Sequence, residues 1–309
     1  MSDAVTRSAC AKVILCGEHA VVYGRPAIAL PLPRLRTHAT VAPLPDDAAE
    51  RPFRIIAPDI RAEYDIAHEP NRPLAVLSRL TFEALGRAPA AATLSIASDI
   101  PPATHLGSSA SVAVASARAI AAFCGQELDP EVASRLAFEA EKIYHGSPSG
   151  IDNTVVAYEQ PVWFVRGAGA AILTIARSPV LVIADTGITT PTRIPVGDVR
   201  AGWETNPARY ERLFDQIAAT VTSARTALLA GDWPSLGAQL DANHALLQQI
   251  GVSSPELDNL CNVARSSGAL GAKLSGGGRG GNMIALAADE ASAVQLRAVL
   301  RAAGATRVI

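Results

Sequence analysis

The sequence predicts an α+β fold, and three observations carry that prediction. Apolar strands gather in the first part of the chain and helices follow in runs, rather than the two alternating one for one. A strand, Ala92 to Ile100, is stopped by Pro101 and Pro102 and leads through a glycine-containing loop into a helix of small residues. With 309 residues, 49% of them apolar, the chain is also long enough for two domains and a sizeable core.

In order, strands are expected near Val13 to Leu15, Ala27 to Leu30, Thr37 to Ala42 and Phe53 to Ile56, with the charged stretch Pro45 to Arg51 an exposed turn or hairpin tip. A helix follows from Pro73 to Leu85, then strand Ala92 to Ile100, the small-residue helix Ala110 to Ala122, and a helix from Pro130 to His145. Strands Val162 to Val165 and Ala171 to Ile175 close a first domain, residues 1–175. The second domain, residues 176–309, opens with strand Val180 to Asp185. It continues with helices at Tyr210 to Leu229, Pro234 to Ile250 and Pro255 to Ser267, a glycine-rich loop, strand Asn282 to Ala288 and a last helix to Ala303.

Composition narrows the function. A net charge of -2 gives no basic excess for nucleic acid. The four cysteines, Cys10, Cys16, Cys124 and Cys261, form no CxxC pair, which argues against a zinc site or a disulfide framework and places the chain in the cytoplasm. No apolar run reaches the ~20 residues a membrane span needs, and the most hydrophobic helix carries Arg118. A soluble enzyme acting on a small molecule fits this balance.

Four segments are polar or glycine-rich where ordinary core elements would not be. Pro101-Pro102-Ala103-Thr104-His105-Leu106-Gly107-Ser108-Ser109 reads as a loop that wraps a phosphate, because Gly107 permits a tight turn and the serines sit at a helix start, where free N–H groups and the macrodipole attract an anion. Taken alone, it reads equally well as a serine cap on a small-residue helix. The others are the strand end Lys12 to Gly24 with its Gly17-Glu18-His19 turn, the run His145-Gly146-Ser147-Pro148-Ser149-Gly150-Ile151-Asp152-Asn153, and Lys273 to Asn282 with its glycines. Of 27 basic residues only Lys12, Lys142 and Lys273 are lysine, and all three lie in or beside these segments. A chain that otherwise uses arginine keeps lysine where a compact ammonium on a flexible stem is needed, unless chance explains three positions.

In this order, and over nearly the whole chain, the four segments resemble the GHMP kinase superfamily. The Gly-Glu-His-Ala-Val-Val-Tyr-Gly turn and the Pro-Ser-Gly-Ile-Asp-Asn run are most similar to its mevalonate kinases. The resemblance implies an N-terminal domain like ribosomal protein S5 domain 2, a C-terminal ferredoxin-like domain and an active site in the cleft between them. It further implies ATP and Mg²⁺ as cofactors, mevalonate as substrate, 5-phosphomevalonate and ADP as products, a place in isoprenoid synthesis, and a homodimer. Alternatives within the fold are a mevalonate 3-kinase, a phosphomevalonate kinase or a decarboxylase-like relative; outside catalysis, a ligand sensor that kept the pocket.

By the same resemblance, Asp152 is the catalytic aspartate and Lys12 its partner. Residues Pro102 to Ser109 (Pro102, Ala103, Thr104, His105, Leu106, Gly107, Ser108 and Ser109), with Ser98, Gly277 and Gly278, contact the nucleotide. Ser109 and Glu141 supply oxygens to Mg²⁺, and Glu18, His19 and Thr192 face the substrate. Each has a plainer reading: Lys12 as an edge-strand lysine, Glu141 as part of a solvated helix face with Glu139 and Lys142, and Thr192 as part of an ordinary loop. Two residues depart from the superfamily pattern, Arg279 in place of a glycine and Asn282 in place of a small residue; Arg279 is either an added phosphate contact or a surface side chain.

Overall fold

The computed structural model describes residues 3–44, 53–58, 62–101, 104–145 and 148–309, so the charged stretch Pro45 to Arg51 lies outside the described residues. The chain divides into two units. The first comprises Met1–Lys12, Pro31–Pro102 and Leu106–Gln160, and the second Val13–Leu30, Ala103–His105 and Pro161–Ile309. Two long strands, β1 (Val5–Cys16) and β2 (Pro26–Pro43), contribute to both and pair with each other.

In the first unit, the later part of β2 runs antiparallel to β5 (Ala92–Ser98), with Thr37 opposite Ser98 and Pro43 opposite Ala92. Strand β5 lies parallel to β3 (Arg54–Ala57), and β3 pairs antiparallel with β4 (Ala62–Asp65). Helices α1 (Pro73–Ala84), α2 (Ser108–Phe123), α3 (Pro130–His145) and α4 (Ile151–Tyr158) pack together, with α2 against β5. Buried Ala110, Ala113, Ala117 and Ile120 of α2 are mostly small, so neighbouring elements approach it closely. Phe53 and Phe82 meet edge to face, 5.2 Å apart, in the core.

In the second unit, the start of β2 pairs with β6 (Val162–Val165), which pairs with β7 (Gly169–Ile172). A separate antiparallel sheet has the order β11 (Arg307–Val308), β8 (Val180–Asp185), β10 (Asn282–Ala287), β9 (Gly271–Ser275). Helices α5 (Arg193–Thr205), α6 (Pro207–Ala230), α7 (Trp233–Gln249), α8 (Pro255–Ser266) and α9 (Glu290–Ala302) complete it. Helix starts follow local chemistry: the side chains of Asn206, Asp232, Ser254 and Asp289 accept from the N–H groups of Arg209, Ser235, Leu257 and Ser292, and α6, α7 and α8 carry proline in the first turn. No helix among the described residues is long and apolar enough to cross a membrane.

The α+β class holds, and most expected elements appear within two or three residues of their predicted ends. Four differences have physical causes. The strands expected at Ala27 to Leu30 and Thr37 to Ala42 are one strand, β2. Pro31 and Pro33 lie between its two registers, where a missing N–H forfeits no bond to β5 or β6. The run ending in Asp152 and Asn153 passes from turn to helix at Gly150 (φ 94°), so Ile151 opens α4 and Asp152 lies in its first turn. Helix α5 is not predicted by the sequence, because Pro195 and Gly197 mask its periodicity; Pro195 sits in the first turn, where its absent N–H has no intrahelical partner in any case. Strand β9 stands where the sequence predicts the start of the glycine-rich loop, and all five of its residues, Lys273 included, are buried.

Candidate active site

In the first unit the proposed chemistry centres on one ion pair. Lys12, near the middle of β1, is 3% exposed and so is not a solvent-facing lysine; its Nζ lies 3.0 Å from Oδ2 of Asp152, which is 34% exposed. The carboxylate occupies the first turn of α4, where the helix dipole also favours an anion. The far end of α4 is fixed by Glu159 (φ 51°), whose carboxylate accepts from Arg36 at 2.9 Å and from Arg118 at 2.7 Å. Burial pushes the Glu159 pKa up, but the two guanidiniums outweigh it and hold it below the ordinary value. Arg118 also donates to the carbonyl of Ala157, so the helix that carries Asp152 is held at its C-terminal end.

The loop before α2 is built around Lys12. The Lys12 N–H donates to the Leu106 carbonyl at 2.9 Å. At Gly107 (φ 76°) an added Cβ would lie 2.8 Å from Lys12 Cγ, so only glycine lets the lysine stem pass. No side chain among the described residues caps α2, whose Ser108 and Ser109 are partly exposed, so its first N–H groups remain suited to an anion. Glu141, on α3 packed against α2, is 4% exposed and is not a solvated-face residue, whereas Glu139 and Lys142 beside it pair at 2.7 Å on the outside. Ser98, at the end of β5, shares a 2.9 Å hydrogen bond with Thr37 and accepts from the Ile100 N–H. Pro102 and Ala103 lie outside the described residues.

The second unit carries the other expected residues. Glu18 is 1% exposed and paired with Lys273, itself fully buried, whose ammonium also donates to the Leu274 carbonyl at 2.5 Å. His19 (φ 61°) is 6% exposed, with Nε2 3.0 Å from the Gly277 carbonyl. A carbonyl only accepts, so Nε2 carries the proton and Nδ1 is left as an acceptor. Burial pushes the His19 pKa down to about 4, which keeps the ring neutral near pH 7. Thr192, the residue before α5, lies beside the same glycine, its Cγ2 3.3 Å from where a Gly277 Cβ would stand. His19, Gly277 and Thr192 therefore converge.

The glycine-rich segment also holds the loop before α2, the one expected to wrap phosphate. Thr104 is 4% exposed and its carbonyl accepts from Nδ2 of Asn282, while His105 (φ 57°) packs against Gly276 and Gly281. Gly278 lies against the Val252 carbonyl. Arg279 keeps a left-handed backbone (φ 56°) and directs its guanidinium to Asp198 of α5 and to the Gly251 carbonyl at 3.3 Å. It is a partly exposed, ion-paired side chain rather than one loose in solvent.

Three supports join residues far apart in the sequence. Asn243 of α7 accepts from the Gly17 N–H at 3.4 Å, Ser275 donates to the Ile14 carbonyl at 2.9 Å, and Lys273 neutralises Glu18. Of these only Lys273 carries a mark in the sequence, as one of three lysines among 27 basic residues. Among the described residues no group of three or more His, Cys, Asp or Glu side chains could hold a metal alone. The oxygen donors that would serve Mg²⁺, a helix-start hydroxyl at Ser109 and the buried carboxylate of Glu141, are hard ligands of the right class, and Mg²⁺ commonly needs only one or two protein oxygens beside phosphate.

Comparison with known proteins agrees with the motif reading. Residues 71–160 match the GHMP kinases N terminal domain and residues 224–306 the GHMP kinases C terminal domain. A mevalonate kinase of Thermococcus sibiricus is 36% identical over 311 residues, covering 94% of this chain and 91% of that protein. One of Pyrococcus furiosus is 35% identical, with 99% and 95% covered. The crystal structure of L. major mevalonate kinase in complex with R-mevalonate superposes with a TM-score of 0.84 at 31% identity, covering 99% of this chain and 94% of that one.

Proposed function

The chain belongs to the GHMP kinase family, in the branch of the mevalonate kinases, and we propose that it transfers the γ-phosphoryl group of ATP to the primary hydroxyl of mevalonate. The observation that carries this reading is the Lys12–Asp152 pair, 3.0 Å apart, built onto the end of the phosphate loop. Phosphoryl transfer needs the phosphates held, their charge neutralised and a hydroxyl aimed in line. Asp152 has an exposed edge with which to accept the hydroxyl proton or orient it, and the Lys12 ammonium supplies the countercharge. The N–H groups at the start of α2 and the loop from Thr104 to Gly107 bind phosphate oxygens, with Ser98, Gly277 and Gly278 as further nucleotide contacts. Mg²⁺, held by Ser109 and Glu141, would neutralise charge on the transferred group.

On the substrate side, His19 presents Nδ1 as an acceptor, which suits a hydroxyl better than a carboxylate, and Thr192 adds a second hydroxyl contact. Glu18 acts differently: its carboxylate faces Lys273 and holds the turn that aims His19. By resemblance, the protein works as a homodimer, which light scattering at micromolar concentration checks.

A coupled assay of ADP release tests the activity against mevalonate, phosphomevalonate, homoserine and galactose. Turnover of mevalonate above the rest is expected, and Asp152→Asn and Lys12→Met should each lower kcat by at least about 10²-fold in folded protein. Preference for another acceptor overturns the substrate, and near-normal rates in both variants overturn the assignment of the pair.

A further inference from the structure

We propose that Asn282 is a positioning residue for the nucleotide: its side-chain amide sets the orientation of the Thr104–His105 peptide and thereby shapes the phosphate loop. The inference rests on the kinase reading above.

Asn282 opens β10, a strand with a neighbour on each side, and stands in register opposite Asp185 of β8 and Ser275 of β9, so the sheet holds its backbone in place. It is 3% exposed. An amide in that position must find partners, because burying it without them is unfavourable. Its Nδ2 donates to the carbonyl of Thr104, a residue that is itself 4% exposed. Asn282 and Thr104 are 178 residues apart in sequence, so this bond ties a rigid strand to the middle of a loop.

The consequence follows from peptide geometry. The peptide unit is planar, and no cis bond occurs among the described residues, so C=O and N–H point in opposite directions across it. Holding the Thr104 carbonyl toward Asn282 therefore turns the His105 N–H away from β10. His105 is kept at φ 57°, an uncommon conformation for a side-chain-bearing residue, and its side chain rests where Cβ atoms on Gly276 and Gly281 would come within 3.3 Å and 3.2 Å. A conformation of that kind persists when its surroundings over-determine it, and Asn282 is the side chain that does so from the strand. A small aliphatic residue at this position would fill the space without the donor.

The test reads nucleotide and acceptor separately in the full-length protein. Binding of Mg·AMPPNP by titration calorimetry, KM for ATP, KM for mevalonate and the thermal midpoint are measured for wild type, Asn282→Ala and Asn282→Asp. Asn282→Ala should weaken Mg·AMPPNP binding and raise KM for ATP by at least five-fold while KM for mevalonate moves less than two-fold. Asn282→Asp, which sets a carboxylate against the Thr104 carbonyl, should be worse on the nucleotide side. Nucleotide affinity within two-fold of wild type in both variants, or equal loss of both substrates, overturns the proposal. If Asn282→Ala does not accumulate as folded protein, Asn282→Ser is read by the same criteria. AMPPNP binding needs no phosphoryl acceptor; a wild type that binds the nucleotide but ignores mevalonate refutes the substrate reading and leaves the Asn282 comparison intact.

Discussion

Removing Lys273 is expected to be among the most destabilising single changes available in the second unit. Its ammonium is fully buried and pairs with Glu18, which is 1% exposed. Lys273→Met deletes the countercharge, and the second carboxylate oxygen of Glu18 has no hydrogen-bond partner among the described residues to compensate. Leaving one charge of a buried pair unpaired typically costs about 3–5 kcal/mol. Glu18→Gln should be milder, about 1–3 kcal/mol, since the amide oxygen still accepts from Lys273 and the Leu274 carbonyl remains a partner. The double variant Glu18→Gln, Lys273→Met removes both charges and should recover much of the loss, so the two effects should be strongly non-additive. Urea unfolding followed by tryptophan fluorescence measures this, because Trp163, Trp203 and Trp233 all lie in the unit that holds the pair. A cost below about 1 kcal/mol for Lys273→Met, or simple addition in the double variant, would refute the argument that burial makes this pair indispensable. In the milder Glu18→Gln variant a raised KM for mevalonate is also expected, since Glu18 holds the His19 turn.

Three further outcomes are expected. Glu141→Gln, which removes a charged oxygen ligand, should shift the Mg²⁺ concentration for half-maximal activity upward several-fold; an unchanged Mg²⁺ titration would return Glu141 to a purely structural role. His19 and His244 are both pushed down to about 4, by burial first, so above their ordinary 6.5 they are neutral folded or unfolded and the stability is fully present. As pH falls from 6.5 through 4 the unfolded chain binds protons that the native state does not, and stability should drop, by about 2 kcal/mol per histidine at pH 5. Denaturation midpoints at pH 7.5 and pH 5 check the sign, and a His244→Asn variant should show a shallower pH dependence than wild type. Finally, Arg279→Ala keeps a Cβ at φ 56° while losing the Asp198 pair, whereas Arg279→Gly loses the pair but relieves the backbone; the glycine variant should be about 1 kcal/mol the more stable, with KM for ATP within two-fold of wild type in both. A many-fold rise in KM for ATP would show that the guanidinium reaches the nucleotide after all.

Most element types, their order and the four motif segments were legible in the sequence because each depends on neighbours along the chain. Pro130 and the periodic residues after it define α3, the run Val162 to Val165 is a strand of alternating burial, and the Ser-Gly-Ile-Asp run places Asp152 at a turn-to-helix junction whatever lies around it. Glycine, proline and apolar spacing act locally, so reading them needs no tertiary structure. What the sequence could not settle is which distant groups satisfy one another. Lys273 and Glu18 are 255 residues apart, Asn282 and Thr104 178, Arg279 and Asp198 81, and no local rule distinguishes the buried ion pair from the two partly or fully enclosed contacts that hold loops. The same holds for Lys12, whose apolar neighbours are compatible with an edge strand or with the interior. Its burial beside Asp152, and the need for Gly107 where its stem passes, arise because folding brings a strand, a loop and a helix start to one place, and the desolvation of each charge must then be offset by a partner that only packing can provide.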